Sequence, residues 1–596
     1  SSPSRSVFTY TGATAPTPGS PVNLNAATDA HKVLDTNTAL TESLLNADSA
    51  TNRTELINWA RGYEYGSDTI QEKFIGDPLH SQPTVVVYGG TSEDDQDTTI
   101  FFGTNEGFLH AINGNTGAEE FAFIPQVLLP NLKSYAEDTA GLKKYGLDGE
   151  ITIWKNDLNN NNVIYDASGD LETGEGAYLY TGMRRGGNSY YALDITDRSN
   201  PKLMWRIDGG SGDFAELGQS WSKPALGKIK WGGTETQVLF FGGGYDEDQD
   251  EATVSQTDDI GRSLFMVNAS TGALLWSAGP NNTDDLTLSD MTNSIAANLT
   301  VGDLDNDGLT DIIFAATMGG EVWRFDIDNA NTSASNFATG GEILDINGAS
   351  AANNRKFFGH PDVSLFAPRG QDPYFLISIG SGTRSDPLDE ITDNRFYVKK
   401  EFSPFEAPKN SSGVVTYTRH TESSLYNATS NLIQTGTTSE QATAENDLAG
   451  LSGWYIHLNG TDASDTNHDG EKVINSSITF GGKIIFTSYT PDFTATGTDC
   501  ELNLGVSRLY VLDILNGSAA SDLDNDGDID GDDLNILPER PGLTTSPNII
   551  YTQSRDSDGN DIEGQTTKVL CVSTECFDDI LEGDGELTRS YWREDN

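Results

Sequence analysis

The stretch Leu299-Thr300-Val301-Gly302-Asp303-Leu304-Asp305-Asn306-Asp307-Gly308-Leu309-Thr310-Asp311-Ile312-Ile313-Phe314-Ala315-Ala316 sets the reading of this chain. Counting from Asp303, oxygen-bearing side chains fall at positions 1, 3, 5 and 9, with glycine at 6. A hard cation such as Ca²⁺ takes oxygen ligands at this spacing. The carbonyl at position 7, here Leu309, is a further ligand, and the glycine allows the sharp turn. The flanking residues are apolar and β-branched rather than helical, which places the loop between two strands. Position 12, where a helix-flanked calcium loop carries a bidentate glutamate, is Phe314, so Asp311 is left to close the shell. The expected ligands are Asp303, Asp305, Asp307, Leu309 and Asp311, and the expected class is a calcium-dependent β-protein.

Outward from this loop the same short sentence repeats. An apolar strand ends in glycine or a small polar residue, and a second strand with an aromatic near its middle follows. Ile100–Gly103 leads to Phe108–Asn113, Tyr178–Gly182 to Ser189–Asp194, and Val238–Gly242 to Ser263–Asn268. Ile312–Ala315 leads to Glu321–Asp326, Phe375–Gly380 to Arg395–Val398, and Lys483–Thr487 to Arg508–Asp513. Pro547–Tyr551 begins a seventh unit. Radially repeated blades suit such a pattern because they leave only short, protected edges, and the uneven spacing calls for large insertions. A row of independent sandwiches is the alternative. Residues 1–71 differ, being rich in Ala, Thr, Asn and Ser, with prolines at 16, 18 and 21. They read as a wrapping segment or linker with short helical patterns near Thr38–Asn46 and Glu55–Arg61, and residues 72–596 as the propeller-type domain.

The chain has 596 residues, 90 acidic and 36 basic, for a formal charge of −54. That surface repels nucleic acid and anionic membranes. It fits an extracytoplasmic protein in saline surroundings, or simply a very soluble one. Three cysteines, Cys500, Cys571 and Cys576, are too few for a disulfide framework; Cys571 and Cys576 enclose a loop short enough to pair. The sequence shows no apolar run long enough to span a bilayer and no signal peptide, so Ser1 reads as a processed or excised start.

A second loop runs from Asp522 to Asp533. Acidic residues stand at positions 1, 3, 5, 9 and 12 (Asp522, Asp524, Asp526, Asp530 and Asp533), with Asp528 at 7 and Gly527 at 6. It sits in an insertion at about 518–540, and Leu534–Leu537 follows as about one helical turn. The spacing resembles the half EF-hand of dockerin-type repeats, and so many carboxylates need a cation to coexist. Asp465-Thr466-Asn467-His468-Asp469-Gly470 begins alike but has Val473 at 9, and reads as an incomplete site or solvated turn. Asp157-Leu158-Asn159-Asn160-Asn161 reads as a plain loop.

Catalytic patterns are missing. His80-Ser81 is the one adjacent base and hydroxyl of interest, but partners in a triad converge from distant segments, and a blade-boundary turn fits better. No G-x-S-x-G, H-E-x-x-H or phosphate-binding glycine loop occurs.

Gly76-Asp77-Pro78-Leu79-His80-Ser81-Gln82-Pro83, Gly103-Thr104-Asn105-Glu106-Gly107-Phe108-Leu109-His110-Ala111, Gly453-Trp454-Tyr455, the loop Asp303–Asp311 and the closing Arg589-Ser590-Tyr591-Trp592-Arg593-Glu594 together resemble the C-terminal propeller domain of the PilY/PilC family of type IV pilus tip adhesins. The resemblance runs from about Leu56 to Asn596. It implies a modified seven-bladed β-propeller whose calcium loop controls pilus extension against retraction. It also implies no enzymatic activity, an exported protein at the pilus tip on a complex of minor pilins, and a part in attachment to host or abiotic surfaces and in twitching motility. The family's usual N-terminal region is absent from these residues, and Asp522–Asp533 looks like a local insertion. Two other classes compete. Thr271-Gly272-Ala273-Leu274-Leu275-Trp276 resembles the tryptophan-docking motif of quinoprotein dehydrogenases, though it is clear only once and no vicinal cysteine pair exists. The dockerin-like loop would instead suit a polysaccharide- or cohesin-binding module.

Overall fold

Seven antiparallel strand pairs stand where the sequence repeats. Asp97–Gly103 pairs with Leu109–Asn113, Gly176–Thr181 with Ser189–Asp194, and Thr234–Gly242 with Leu264–Asn268. Ile312–Ala316 pairs with Glu321–Ile327, Tyr374–Gly380 with Arg395–Phe402, and Lys483–Thr490 with Val506–Asp513. Asn548–Arg555 and Asp561–Val572 form the last pair. Each pair belongs to its own sheet. Among the described residues there are five sheets of five strands, one of four and one of three. The computed structural model describes residues 5–581 except 72–74, 91, 93–94, 139–140, 142, 332, 459–469, 492–503, 540–541, 556–560 and 578–579. Asp465–Asp469, Cys500 and Arg589–Glu594 therefore lie outside the described residues.

The chain forms two compact units. Among the described residues, one comprises 5–247 with Asp259–Thr287, and the other Asp248–Asp258 with 288–581. The first holds three of the sheets and the second four. Inner strands such as Ile312–Ala316 are buried at every residue, which is why they read as unbroken apolar runs rather than as alternation.

Residues from Arg5 to Ala60 supply strands and core to the first unit. Val7–Phe8 adds to the first sheet in parallel beside Ala122–Phe123, and Val22–Asn23 adds to the second beside Lys202–Leu203. Leu24, Leu40, Leu45, Leu56 and Ile57 are buried in one cluster with Leu109, Phe121, Leu179 and Leu193. Arg5 holds the start of this segment in place. Its guanidinium donates to Glu119 at 2.5 and 3.1 Å and to the carbonyl of Ala60 at 2.7 Å.

Three local expectations are corrected. Glu55–Arg61 is the end of a longer helix, Ala50–Ala60, whose N-cap Ser49 accepts from the amide of Asn52 at 3.2 Å; the 38–46 stretch forms turns instead. A second helix, Thr438–Ala449, opens with a capping box between Thr437 and Glu440. After Asp530 the chain makes a 3₁₀ turn, Gly531–Leu534, and then a two-residue strand, Asn535–Ile536, in place of the helical turn expected over Leu534–Leu537. Cys571 and Cys576 face each other across a hairpin and are disulfide-bonded.

Among the described residues the tryptophan-docking geometry occurs twice. Trp205 donates its indole N–H to the carbonyl of Ala269 at 2.8 Å, and its ring covers Gly272, where a Cβ would come within 2.8 Å of it. Trp454 donates to Ile514 at 2.9 Å and covers Gly517, where a Cβ would come within 2.9 Å. Each glycine also has a positive φ, 70° and 76°, so both the turn and the ring exclude a side chain.

Candidate metal centres

The loop from Asp303 to Asp311 joins the first two strands of the fourth sheet, Thr300–Gly302 and Ile312–Ala316, with Gly302 opposite Ile312. Asp303 leaves one strand and Asp311 enters the next, so the antiparallel register brings the two acids side by side. Asp303 accepts from the amides of Asn306 at 2.7 Å and Gly308 at 2.8 Å. Asp305 accepts from the amide of Asp307, Asp307 from that of Leu309, and Asp311 from that of Leu304. Asn306 at φ 62° and Gly308 at φ 86° give the loop its tight curl. Carboxylate oxygens of Asp303, Asp305 and Asp311 lie within 4.8 Å of one another; Asp307 stays outside that trio. Sequence reasoning missed Asn329, whose side-chain amide donates to the carbonyl of Thr310 at 3.0 Å and to Asp311 at 3.4 Å.

The loop from Asp522 to Asp533 repeats this skeleton. Asp522 accepts from Gly527, Asp524 from Asp526, and Asp526 from Asp528. Buried Asp533 accepts from the amides of Leu523 at 2.6 Å and Asp530 at 2.9 Å. Asn525 at φ 62° and Gly527 at φ 99° match Asn306 and Gly308. Here Asp522, Asp524 and Asp533 form the trio within 4.8 Å. Asp528 is exposed, and Asp530 instead accepts from the amide of Asp532.

Both loops fit a hard cation. Their donors are all oxygens, and one Asp522 oxygen is buried with no hydrogen-bond partner. In the ion-free loops two carboxyls take up protons more readily than usual. Asp311 is pushed up to about 6 by burial, helped by Asp305, Asp303 and Asp307 and opposed by the Leu304 amide. Asp524 is also raised: the Asp526 amide opposes the shift, and desolvation with the carboxylates of Asp526, Asp533 and Asp522 outweighs it. The residues from Asp524 to Asp530 are exposed, so this segment has little apolar burial to hold it once the ion is gone. Chelation is therefore expected to open residues 522–533 to protease before any strand of the sheets; equal cleavage rates with and without chelator would contradict this.

His80 and Ser81 do not meet as base and nucleophile. The His80 ring bonds Asp148 through Nδ1 at 2.5 Å, while the buried Ser81 hydroxyl accepts from the amide of Gly103 at 2.8 Å. Ser222 likewise accepts from Gly242 at 3.1 Å, so both hydroxyls secure strand ends.

Comparison with known proteins agrees with the fold. The PilY1 β-propeller domain family matches residues 74–362. A type IV pilus biogenesis factor PilY1 homolog of Xylella fastidiosa is 26% identical over 437 residues, 71% of this chain and 26% of that protein. A second from the same organism is 28% identical over 300 residues, 46% of this chain and 22% of that protein. Type IV pilus biogenesis factor PilY1 of Pseudomonas aeruginosa is 26% identical over 302 residues, 45% of this chain and 23% of that protein. The chain thus spans about a quarter of the length of these curated relatives. The crystal structure of the P. aeruginosa PilY1 C-terminal domain superposes with a TM-score of 0.51 at 20% identity, over 80% of this chain and 91% of that one, and so shares its fold. Residues 74–362, just under half of the chain, thus match the PilY1 β-propeller domain family, and the chain is similar to PilY1 proteins.

Proposed function

We propose that this chain is a non-enzymatic, calcium-dependent part of a type IV pilus factor. It acts at the pilus tip, where calcium in the Asp303–Asp311 hairpin biases extension against retraction, and it serves surface attachment and twitching motility. One observation carries the reading: within a PilY1 β-propeller domain, a strand-to-strand hairpin converges three carboxylates, Asp303, Asp305 and Asp311, at ion-binding distance. The relatives' description as type IV pilus biogenesis factors supports the pilus context, with minor pilins of the tip complex as partners and an exported, cell-surface location. No helix among the described residues is long and apolar enough to cross a membrane. The seven sheets among the described residues support a modified seven-bladed propeller.

A quinoprotein dehydrogenase is not favoured, because the three cysteines include no adjacent pair. The Asp522–Asp533 loop serves as a second, structural calcium site rather than a cohesin-binding module.

The fourth sheet holds both strands that bracket the Asp303 loop, so losing the ion leaves the fold largely in place. An Asp311→Ala strain is therefore expected to keep the protein and lose most pilus-dependent twitching. Normal twitching in a strain whose protein has lost the ion would overturn the regulatory role.

A further inference from the structure

The hairpin 157–175 joins two neighbouring strands of the second sheet, Ile151–Asn156 and Gly176–Thr181, whose register ends with Asn156 opposite Gly176. Asp157 thus leaves one strand and Glu175 enters the next, the same two places that Asp303 and Asp311 hold around Gly302 and Ile312. The hydrogen bonds match as well. Asp157 accepts from the amide of Asn162 at 2.7 Å, as Asp303 does from Gly308 and Asp522 from Gly527. Asn159 accepts from the amide of Asn161 at 2.9 Å and Asn161 from that of Val163 at 3.0 Å, repeating the contacts at positions 3 and 5 of both acidic loops. The positive φ values recur too, 57° at Asn160 and 65° at Asn162.

Glu175 is the observation that points to a ligand. It is 6% exposed, and its Oε1 accepts from the amide of Leu158 at 3.1 Å. Asp311 and Asp533 make the corresponding bond to Leu304 and Leu523. The other oxygen, Oε2, is buried and has no hydrogen-bond partner. A buried carboxylate oxygen without a donor is costly unless a cation satisfies it. The neighbours complete such a site. Glu172 holds the side-chain amides of Asn159 and Asn161, the latter at 2.8 Å, which fixes their carbonyl ends. Lys155, the nearby cation, bonds the backbone and side-chain oxygens of Asn162 at position 6, which is not a ligand position.

We propose that residues 157–163, closed by Glu175, form a third site for a hard divalent cation of the Ca²⁺ type. Its ligands are the side-chain oxygens of Asp157, Asn159 and Asn161, the carbonyl of Val163 and the carboxylate of Glu175. The inference rests on the calcium reading of the two acidic loops. Asparagines at positions 3 and 5 lower the charge of the shell, so this site binds more weakly than either.

The test is calcium titration of the chelator-stripped chain, as wild type, as the Asp303→Ala/Asp522→Ala double variant, and as that variant with Glu175→Gln added. Glu175→Gln keeps the side-chain volume and an acceptor for Leu158. Three equivalents, then one, then none are expected. Two equivalents in the wild type and none in the double variant would overturn the third site and leave the other two standing. No binding in the wild type would overturn the calcium reading itself and the third site with it. Terbium-soaked crystals of the wild type give a check that needs no variant. An anomalous peak between Asp157 and Glu175 is expected, and peaks at the two acidic loops alone would overturn the proposal.

Discussion

At pH 5 the Asp303–Asp311 hairpin is expected to bind calcium about fivefold more weakly than at pH 6 and about tenfold more weakly than at pH 7. Burial and three neighbouring carboxylates raise Asp311 to about 6 in the ion-free fold, well above its ordinary 3.8. Below that pH the ion-free site carries a proton which calcium must displace, and one displaced proton approaches a decade of affinity per pH unit only well below the pKa. The sign for stability runs the other way. A carboxyl whose folded pKa is raised binds more protons folded than unfolded between pH 4 and 6. The ion-free chain therefore loses stability as pH rises through that window, and calcium offsets the loss. Titration at pH 5, 6 and 7 in an Asp522→Ala/Glu175→Gln background isolates the hairpin. Affinity unchanged across that range would contradict the assignment of Asp311 as the closing ligand.

Trp454→Ala is expected to cost about 3–5 kcal/mol in unfolding of the second unit. The side chain is fully buried among Phe396, Ile484, Phe486 and Leu512. Its loss opens a cavity and also leaves the carbonyl of Ile514, its partner at 2.9 Å, without the indole donor. Gly517→Ala probes the same contact from the other side. Its φ of 76° disfavours a side chain, and the new Cβ would lie 2.9 Å from the indole. Urea unfolding followed by tryptophan fluorescence reads both changes. A Trp454→Ala midpoint within about 0.5 kcal/mol of wild type would show that the docking contact does not hold the sheets.

The repeated strand pairs were legible because each carries a buried apolar run bounded by glycine or asparagine, and the register follows once those runs pair. The Asp303 loop was legible because all its ligand positions lie within nine consecutive residues. The loop at Asp157 was not, for two physical reasons. Asn162 takes the left-handed position that glycine marks elsewhere, and the closing acid, Glu175, arrives from the far end of a long hairpin rather than at position 9 or 12, which are Tyr165 and Ser168. Spacing in one dimension cannot register a ligand that the sheet supplies. The second tryptophan dock was missed for a similar reason. Trp454 and Gly517 are far apart in sequence, and the turn Asp513–Gly517 lacks the Thr-Gly pair that marks Thr271-Gly272. The helix Thr438–Ala449 did carry a local signal, Thr437 and Glu440 in capping-box spacing, but its apolar face is slight, with only Ala444 and Leu448 buried.

The central claim is that calcium sits in the Asp303–Asp311 hairpin, and calorimetric calcium titration of the chelator-stripped chain with and without Asp303→Ala tests it most directly. Asp303 is the proposed first ligand and accepts from the amides of Asn306 and Gly308, so its replacement is expected to remove the site while the flanking strands remain paired. The account predicts that the variant unfolds like the ion-free wild type and binds one calcium equivalent fewer. Equal stoichiometry and affinity in the two proteins would contradict it.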